Sequence, residues 1–330
     1  MSPRRLIVPA ALVAASALAL AGCASAEASG SEDGRIAVVA STNVYGQLVE
    51  EIGADRVAVT SIVAAGSQDP HSFEPSARDQ LSVSRADLIV ENGGGYDSFV
   101  DALIDATGTA AHVITAVEFS HDWPENDGHA EEEAGAEGDH ADEEHDHDHA
   151  DHGHVEGFNE HVWYDPHTIV HVAEAIAEEL SELSPDDAAT FDANLETFAA
   201  GIEDLEASLG EIDAAHGGEE IFVTEPVPLY LTGAAGLLNV APEAFTEAVE
   251  EGQDVAPATL LDALDLVSAG TVRAVIANAQ TGGAETTAII DEAESREIPV
   301  VEFTETLPDG QTYLSWMQSN IEALGKALAE

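Results

Sequence analysis

Apolar residues fall in two kinds of run along this chain. Arg35-Ile36-Ala37-Val38-Val39-Ala40-Ser41 is short and does not alternate with polar residues. Such runs read as strands buried on both faces, as in a parallel sheet. Val57 to Val63 and Ala86 to Glu91 are second and third strand candidates. Between them, Val44 to Ile52, Ser76 to Ser84 and Phe99 to Thr107 space their apolar residues for helices, and His112-Val113-Ile114 is a fourth strand. Strand and helix alternate, so the first half is α/β with a parallel sheet. Asp165-Pro166 then starts a helix as N-cap and first residue, with Ile169, Val172, Ala173, Ile176 and Leu180 on one face. A longer helix is predicted from Pro185 to about Ala215, its apolar positions Phe191, Leu195, Phe198, Ile202, Leu205 and Leu209 recurring at helical spacing. A second α/β half follows, with strands at Ile221 to Thr224, Arg273 to Asn278 and Ile298 to Phe303, and a closing helix from Tyr313 to Ala329. A chain of 330 residues has room for one large or two smaller cores.

Two stretches break this pattern. Residues 1–23 are a leader: Arg4 and Arg5 precede the apolar run Leu6 to Leu20, which is too short for a comfortable membrane span, and the end Leu20-Ala21-Gly22-Cys23 is similar to a bacterial lipobox. Cys23, the only cysteine, is thereby expected to carry a lipid, and no intrachain disulfide can form. Residues 24–34 make a small, polar stalk. The second break, residues 121–157, contains a tract from His129 to His154 with seven His, eleven Asp or Glu and no Lys or Arg. It has no apolar periodicity and is expected to be disordered. Its densest part carries His145, His147, His149, His152 and His154, which favour weak, exchanging sites for zinc-like ions.

Charge narrows the partners. Nine basic residues face 65 acidic ones, a formal net charge of −56, which excludes nucleic acid as a default partner and suits cation capture and solubility. Asn92-Gly93-Gly94-Gly95-Tyr96 matches no phosphate-loop pattern and reads as a strand-end turn.

The candidate chemistry sits in two proline-stiffened loops. Asp69-Pro70-His71-Ser72-Phe73-Glu74-Pro75-Ser76 follows the second strand, and His161-Val162-Trp163-Tyr164-Asp165-Pro166 comes ninety residues later. Either histidine alone would be an ordinary surface residue. Together, in this order and spacing, the motifs resemble those of the metal-binding lipoproteins of zinc and manganese ABC importers, and the resemblance runs along nearly all of the chain after the leader. It implies two Rossmann-like lobes with parallel sheets, residues 35–184 and 217–330, joined by a rigid helix at 185–216. The metal site is expected in the interlobe cleft. It implies His71 and His161 as ligands and a third in the segment Glu225-Pro226-Val227-Pro228-Leu229-Tyr230, where Glu225 stands five residues before Tyr230. The family's fourth ligand, a carboxylate, is expected shortly before the last helix, where this chain has Gln311; Glu305, directly after the last strand, is chosen instead, over Asp309 or a water. His167 and His171 share a helix face at metal-pair spacing, but read better as partly exposed helix residues.

The expected function is capture of a divalent transition metal outside the cytoplasm and delivery to an ABC permease, by a monomer anchored through its lipid to the outer face of the membrane. Zinc is preferred because of the His-rich tract; manganese is the alternative because two imidazoles and two carboxylates resemble the manganese-type set. A zinc-buffering surface lipoprotein or adhesin, and a metallohydrolase, are further alternatives, the last weakened by the lack of a nucleophile motif or a His-Glu-x-x-His sequence.

Overall fold

The computed structural model describes residues 34–64, 70–126, 155 and 157–329. The leader with Cys23, most of the stalk, residues Gly66 to Asp69 of the first loop and the tract carrying His145, His147, His149, His152 and His154 lie outside them. The first half runs β1 (Ile36–Thr42), α1 (Asn43–Gly53), β2 (Val57–Val63), α2 (Ala77–Val83), β3 (Leu88–Glu91), α3 (Phe99–Thr107) and β4 (His112–Thr115). Two helices follow, α4 (Pro166–Leu183) and α5 (Ala188–His216). The second half runs β5 (Glu220–Val223), α6 (Leu229–Ala234), β6 (Leu238–Asn239), α7 (Glu243–Glu250), α8 (Pro257–Ser268), β7 (Val272–Asn278), α9 (Ala284–Ser295), β8 (Val300–Phe303) and α10 (Tyr313–Ala329).

Each half holds one four-stranded sheet, ordered β2-β1-β3-β4 and β6-β5-β7-β8, and every pairing is parallel. The two orders repeat one plan, with the first strand of each half second in its sheet. In such sheets the ends of the central strands open into a crevice where ligands bind.

The cores are not separate. A single apolar cluster runs from Val38, Leu88 and Ile114 through Ile169 and Ile176 of α4 and Phe198, Ile202 and Leu205 of α5 to Ile276, Phe303 and Trp316 of the second half. Two smaller clusters cover the outer faces, around Ile89, Val100 and Leu103 on one side and Phe222, Phe245 and Val275 on the other. The α5 helix has 29 residues, about 44 Å at 1.5 Å per residue, enough to reach across both sheets. Direct hydrogen bonds also tie the halves. The Asn43 side chain donates to Leu307 O at 2.8 Å and accepts from Leu307 N at 2.9 Å, and the Tyr313 hydroxyl donates to Trp163 O at 2.8 Å.

Local chemistry explains the boundaries. Ser76 caps α2, accepting from the amides of Arg78 and Asp79, while the Asp79 side chain accepts from Ser76 N at 2.7 Å in a reciprocal capping box. The long helix begins at Ala188, three residues after the expected Pro185, because Ser184 to Asp187 form a turn in which Ser184 Oγ donates to Asp187 Oδ2 at 2.8 Å. Order also persists past residue 121. Trp123 packs edge-on against Phe158 at 5.1 Å, and the Asn126 amide donates to Glu118 O and Ser120 O. Gly93, Gly94 and Gly95 all have φ between 66 and 96°; a Cβ on Gly93 would lie 2.4 Å from Thr115 Cγ2, so glycine is required where the chain turns out of β3.

Candidate metal centre

The C-terminal ends of strands from both sheets supply the polar groups of the cleft. His71 lies in the single 3-10 turn Pro70–Ser72 that follows β2. Its ring stands edge-on to Tyr96 at 4.7 Å and 5.9 Å from the ring of His161. His161 is fully buried among Tyr96 and Trp163. Glu305, 2% exposed, follows β8; Glu225, 3% exposed, follows β5; and Asn278 ends β7, which runs between those two strands.

These positions converge. A donor atom from each of His71, His161 and Glu305 lies within 4.8 Å of the others. His71 Nε2 is 3.9 Å from Glu305 Oε2. A second group, His71, Glu160 and Glu250, meets the same distance. Glu225 stands beside the first group without joining it: Asn278 Nδ2 donates to Glu225 Oε2 at 2.9 Å and to Glu305 Oε1 at 2.6 Å, so one amide holds both carboxylates, and Glu225 Oε1 also accepts from the Thr281 hydroxyl. Tyr96 donates to Glu305 Oε2 at 3.2 Å. Burial and then the Glu305 carboxylate push the Tyr96 hydroxyl well above its ordinary pKa, so it remains a donor.

The hydrogen bonds also set the tautomer of His161. Asn159 Nδ2 donates to Pro226 O at 3.2 Å, which leaves Asn159 Oδ1 as the acceptor, 2.7 Å from His161 Nδ1. Nδ1 therefore carries the proton and Nε2 presents its lone pair, the arrangement of a metal-binding imidazole oriented by an outer partner. Asn159 binds across the cleft at two points, since Tyr230 donates to Asn159 O at 2.9 Å.

Carboxylates dominate the electrostatics. None of the described residues lining the 880 Å³ cavity beside His71 and Glu250 is Lys or Arg. Glu250, at the end of α7, is pushed up to about 9 by burial and then by repulsion from Glu160, Glu225, Glu305 and Glu251. Acidic groups gathered this closely with imidazole nitrogens and no basic side chain make a site that a divalent cation would stabilise.

Of the residues singled out from sequence, His71, His161 and Glu305 are brought together and Glu225 is placed next to them. Gln311 is not in the group: it follows the Pro308-Asp309-Gly310 turn, where its amide donates to Pro308 O at 3.2 Å, and Asp309 is exposed. His167 and His171 touch at 5.0 Å on the outer face of α4, where His167 is exposed and His171 pairs with Glu174. Sequence reading missed Glu160, Glu250 and Tyr96. Glu160 was within reach, as the neighbour of His161, but nothing marks Glu250 among 65 acidic residues.

Comparison with known proteins points the same way. The family model for the periplasmic zinc-uptake complex component A matches residues 38–327. The manganese-binding lipoprotein MntA of Halalkalibacterium halodurans is 30% identical over 181 residues, 54% of this chain and 51% of that protein. The chain thus spans about half the length of the curated relatives it matches. A crystal structure of ZnuA superposes with a TM-score of 0.64 at 22% identity over 89% of this chain and 98% of that one. The laminin-binding protein Lmb of Streptococcus agalactiae, described as an adhesin with metal-transporting activity, gives a TM-score of 0.66 at 21% identity over 89% and 99%. At these identities the structural likenesses establish the fold.

Proposed function

The chain belongs to the family of the periplasmic zinc-uptake complex component A, and from that premise we propose that it captures a divalent transition metal outside the cytoplasm and delivers it to an ABC importer. The observation that carries this reading is the meeting of His71, His161 and Glu305 from opposite halves of the molecule within 4.8 Å. His71, His161, Glu225 and Glu305 are the ligands in this reading, with Asn278 keeping the two carboxylates side by side. The ion is cargo, held and released, and the role is binding, not catalysis. Cys23 anchors the monomer to the outer face of the membrane through its lipid, the His145 to His154 tract is an accessory metal collector, and the partner is a membrane permease.

Zinc is the preferred cargo. Sites of nitrogen and oxygen donors bind Zn²⁺ more tightly than Mn²⁺ unless geometry opposes it, and the His-rich tract suits zinc. Manganese is the second reading, favoured by the oxygen-rich donor set and by the manganese-binding name of MntA. The test is competition titration with Zn²⁺ and Mn²⁺ of the soluble protein lacking residues 1–23 and 129–154, beside a His71→Ala copy. One tight Zn²⁺ per chain, lost in the variant, is expected. Tight Mn²⁺ binding with little preference for zinc would move the cargo to manganese. Absence of any tight site would return the His-rich tract to the centre as a zinc buffer.

A further inference from the structure

The cleft holds two carboxylates, Glu160 and Glu250, that its sequence motifs do not account for. Glu250 Oε1 lies 3.5 Å from His161 Nε2, the nitrogen whose lone pair faces an incoming ion. The same side chain groups with His71 and Glu160 within 4.8 Å. The oxygens of Glu225 and Glu305 have donors in Asn278, Thr281 and Tyr96. Glu250 is less buried than these two, its side chain 12% exposed, but its Oε1 is shielded from solvent and no hydrogen-bond donor among the described residues reaches it. A carboxylate can only accept, so this oxygen calls for a proton or a cation.

Its place in the chain suits a rim residue. Glu250 is the last residue of α7, an eight-residue helix, and Gly252, two residues on, has φ of 62° with open space around it. The side chain borders two cavities, one of 880 Å³ shared with His71 and Thr281 and one of 520 Å³ shared with Asn159 and Glu160. An ion seated on His161 Nε2 must either take up this carboxylate or push it aside.

We propose that Glu250 is a further ligand of the cleft, a carboxylate supplied from the rim that raises the coordination number above four and so narrows the site's preference for Zn²⁺ over Mn²⁺. This rests on the reading of the cleft as the metal site. Extra hard oxygen donors favour Mn²⁺, which accepts five or six ligands, more than Zn²⁺, which is content with four. Removing Glu250 therefore weakens Mn²⁺ binding by about tenfold or more, in the range that oriented site groups contribute, and weakens Zn²⁺ binding less.

The experiment uses the chain after its leader, stripped of metal, as wild type, Glu250→Gln, Glu247→Gln and His161→Ala. Glu247→Gln removes one charge from the same helix and controls for charge alone. Zn²⁺ and Mn²⁺ affinities come from chelator competition, and one equivalent of Co²⁺ reports coordination number through the intensity of its visible bands. The expected result is a larger loss for Mn²⁺ than for Zn²⁺ in Glu250→Gln, and stronger Co²⁺ bands there as the site becomes tetrahedral. If Glu250→Gln matches Glu247→Gln in both affinities and spectrum while His161→Ala loses the ion, Glu250 is no ligand and the cleft reading stands. If His161→Ala also binds as wild type does, both readings fall.

Discussion

Asn278 is the residue whose removal most directly tests how the second half prepares the site. Its amide nitrogen donates to Glu225 and Glu305 at 2.9 and 2.6 Å, the lengths of charge-assisted hydrogen bonds, while its oxygen accepts from Gln280 N at 3.0 Å and so faces away from the ion. Asn278 can therefore position ligands without being one. The informative change is Asn278→Leu, close in volume but without either polar group. Each bond to a charged acceptor is worth about 1.5–3 kcal/mol. Much of that is regained when the freed carboxylates take up protons or water. What remains for binding is the loss of orientation, which for such outer partners costs about 10–100-fold in metal affinity, or about 1.4–2.8 kcal/mol. Chelator competition with Zn²⁺ at pH 7.5 reads the affinity, and melting with and without zinc separates a misoriented site from a misfolded one. The expected variant melts cooperatively when metal-free and gains a smaller zinc-induced increase in Tm than wild type. An affinity within about threefold of wild type would show that the two carboxylates reach the ion without their shared donor, and the reasoning would be refuted.

Glu250 also predicts a pH dependence of the metal-free protein. Its folded carboxyl titrates near 9 against an ordinary 4.5, so the stability that its protonated form contributes is complete below about pH 4.5 and is lost progressively as pH rises towards 9. Glu250→Gln, permanently neutral, should therefore melt higher than wild type at pH 8 in chelator, with the gap closing as pH falls to 4.5; a gap constant across that range would contradict the assignment. Phe198, 1% exposed on α5 with its ring 6.0 Å from that of Tyr313, lies in the apolar cluster shared by both halves. Phe198→Ala should cost about 3–5 kcal/mol and lower the urea midpoint in one transition, since the halves share that core; a separate unfolding step for either half would argue against it.

Much of the fold was legible because buried parallel strands and long amphipathic helices write strong patterns. Val38, Val39 and Ala40 of β1, or Val275, Ile276 and Ala277 of β7, belong to short apolar runs rich in β-branched residues, which read as strands. The two-residue β6 and the eight-residue α7 were not read from the sequence. That omission hid Glu250. Nothing in Val249-Glu250-Glu251 marks one acid as different from its neighbour, and only the turn of α7 sends Glu250 under the rim. Glu305 was legible for the opposite reason. It lies two residues past β8, where the chain leaves the strand at the crevice, whereas Gln311 stands beyond a Pro-Asp-Gly turn that has already left it. Glu225, two residues past β5, and Asn278, at the end of β7, follow the same logic, and His71 lies in the loop into which β2 leads. In a chain with 65 acidic residues, charge carries almost no positional information. Distance from a strand end carries most of it, so a ligand delivered from a short helix, as Glu250 is, can be found only once the backbone is in place.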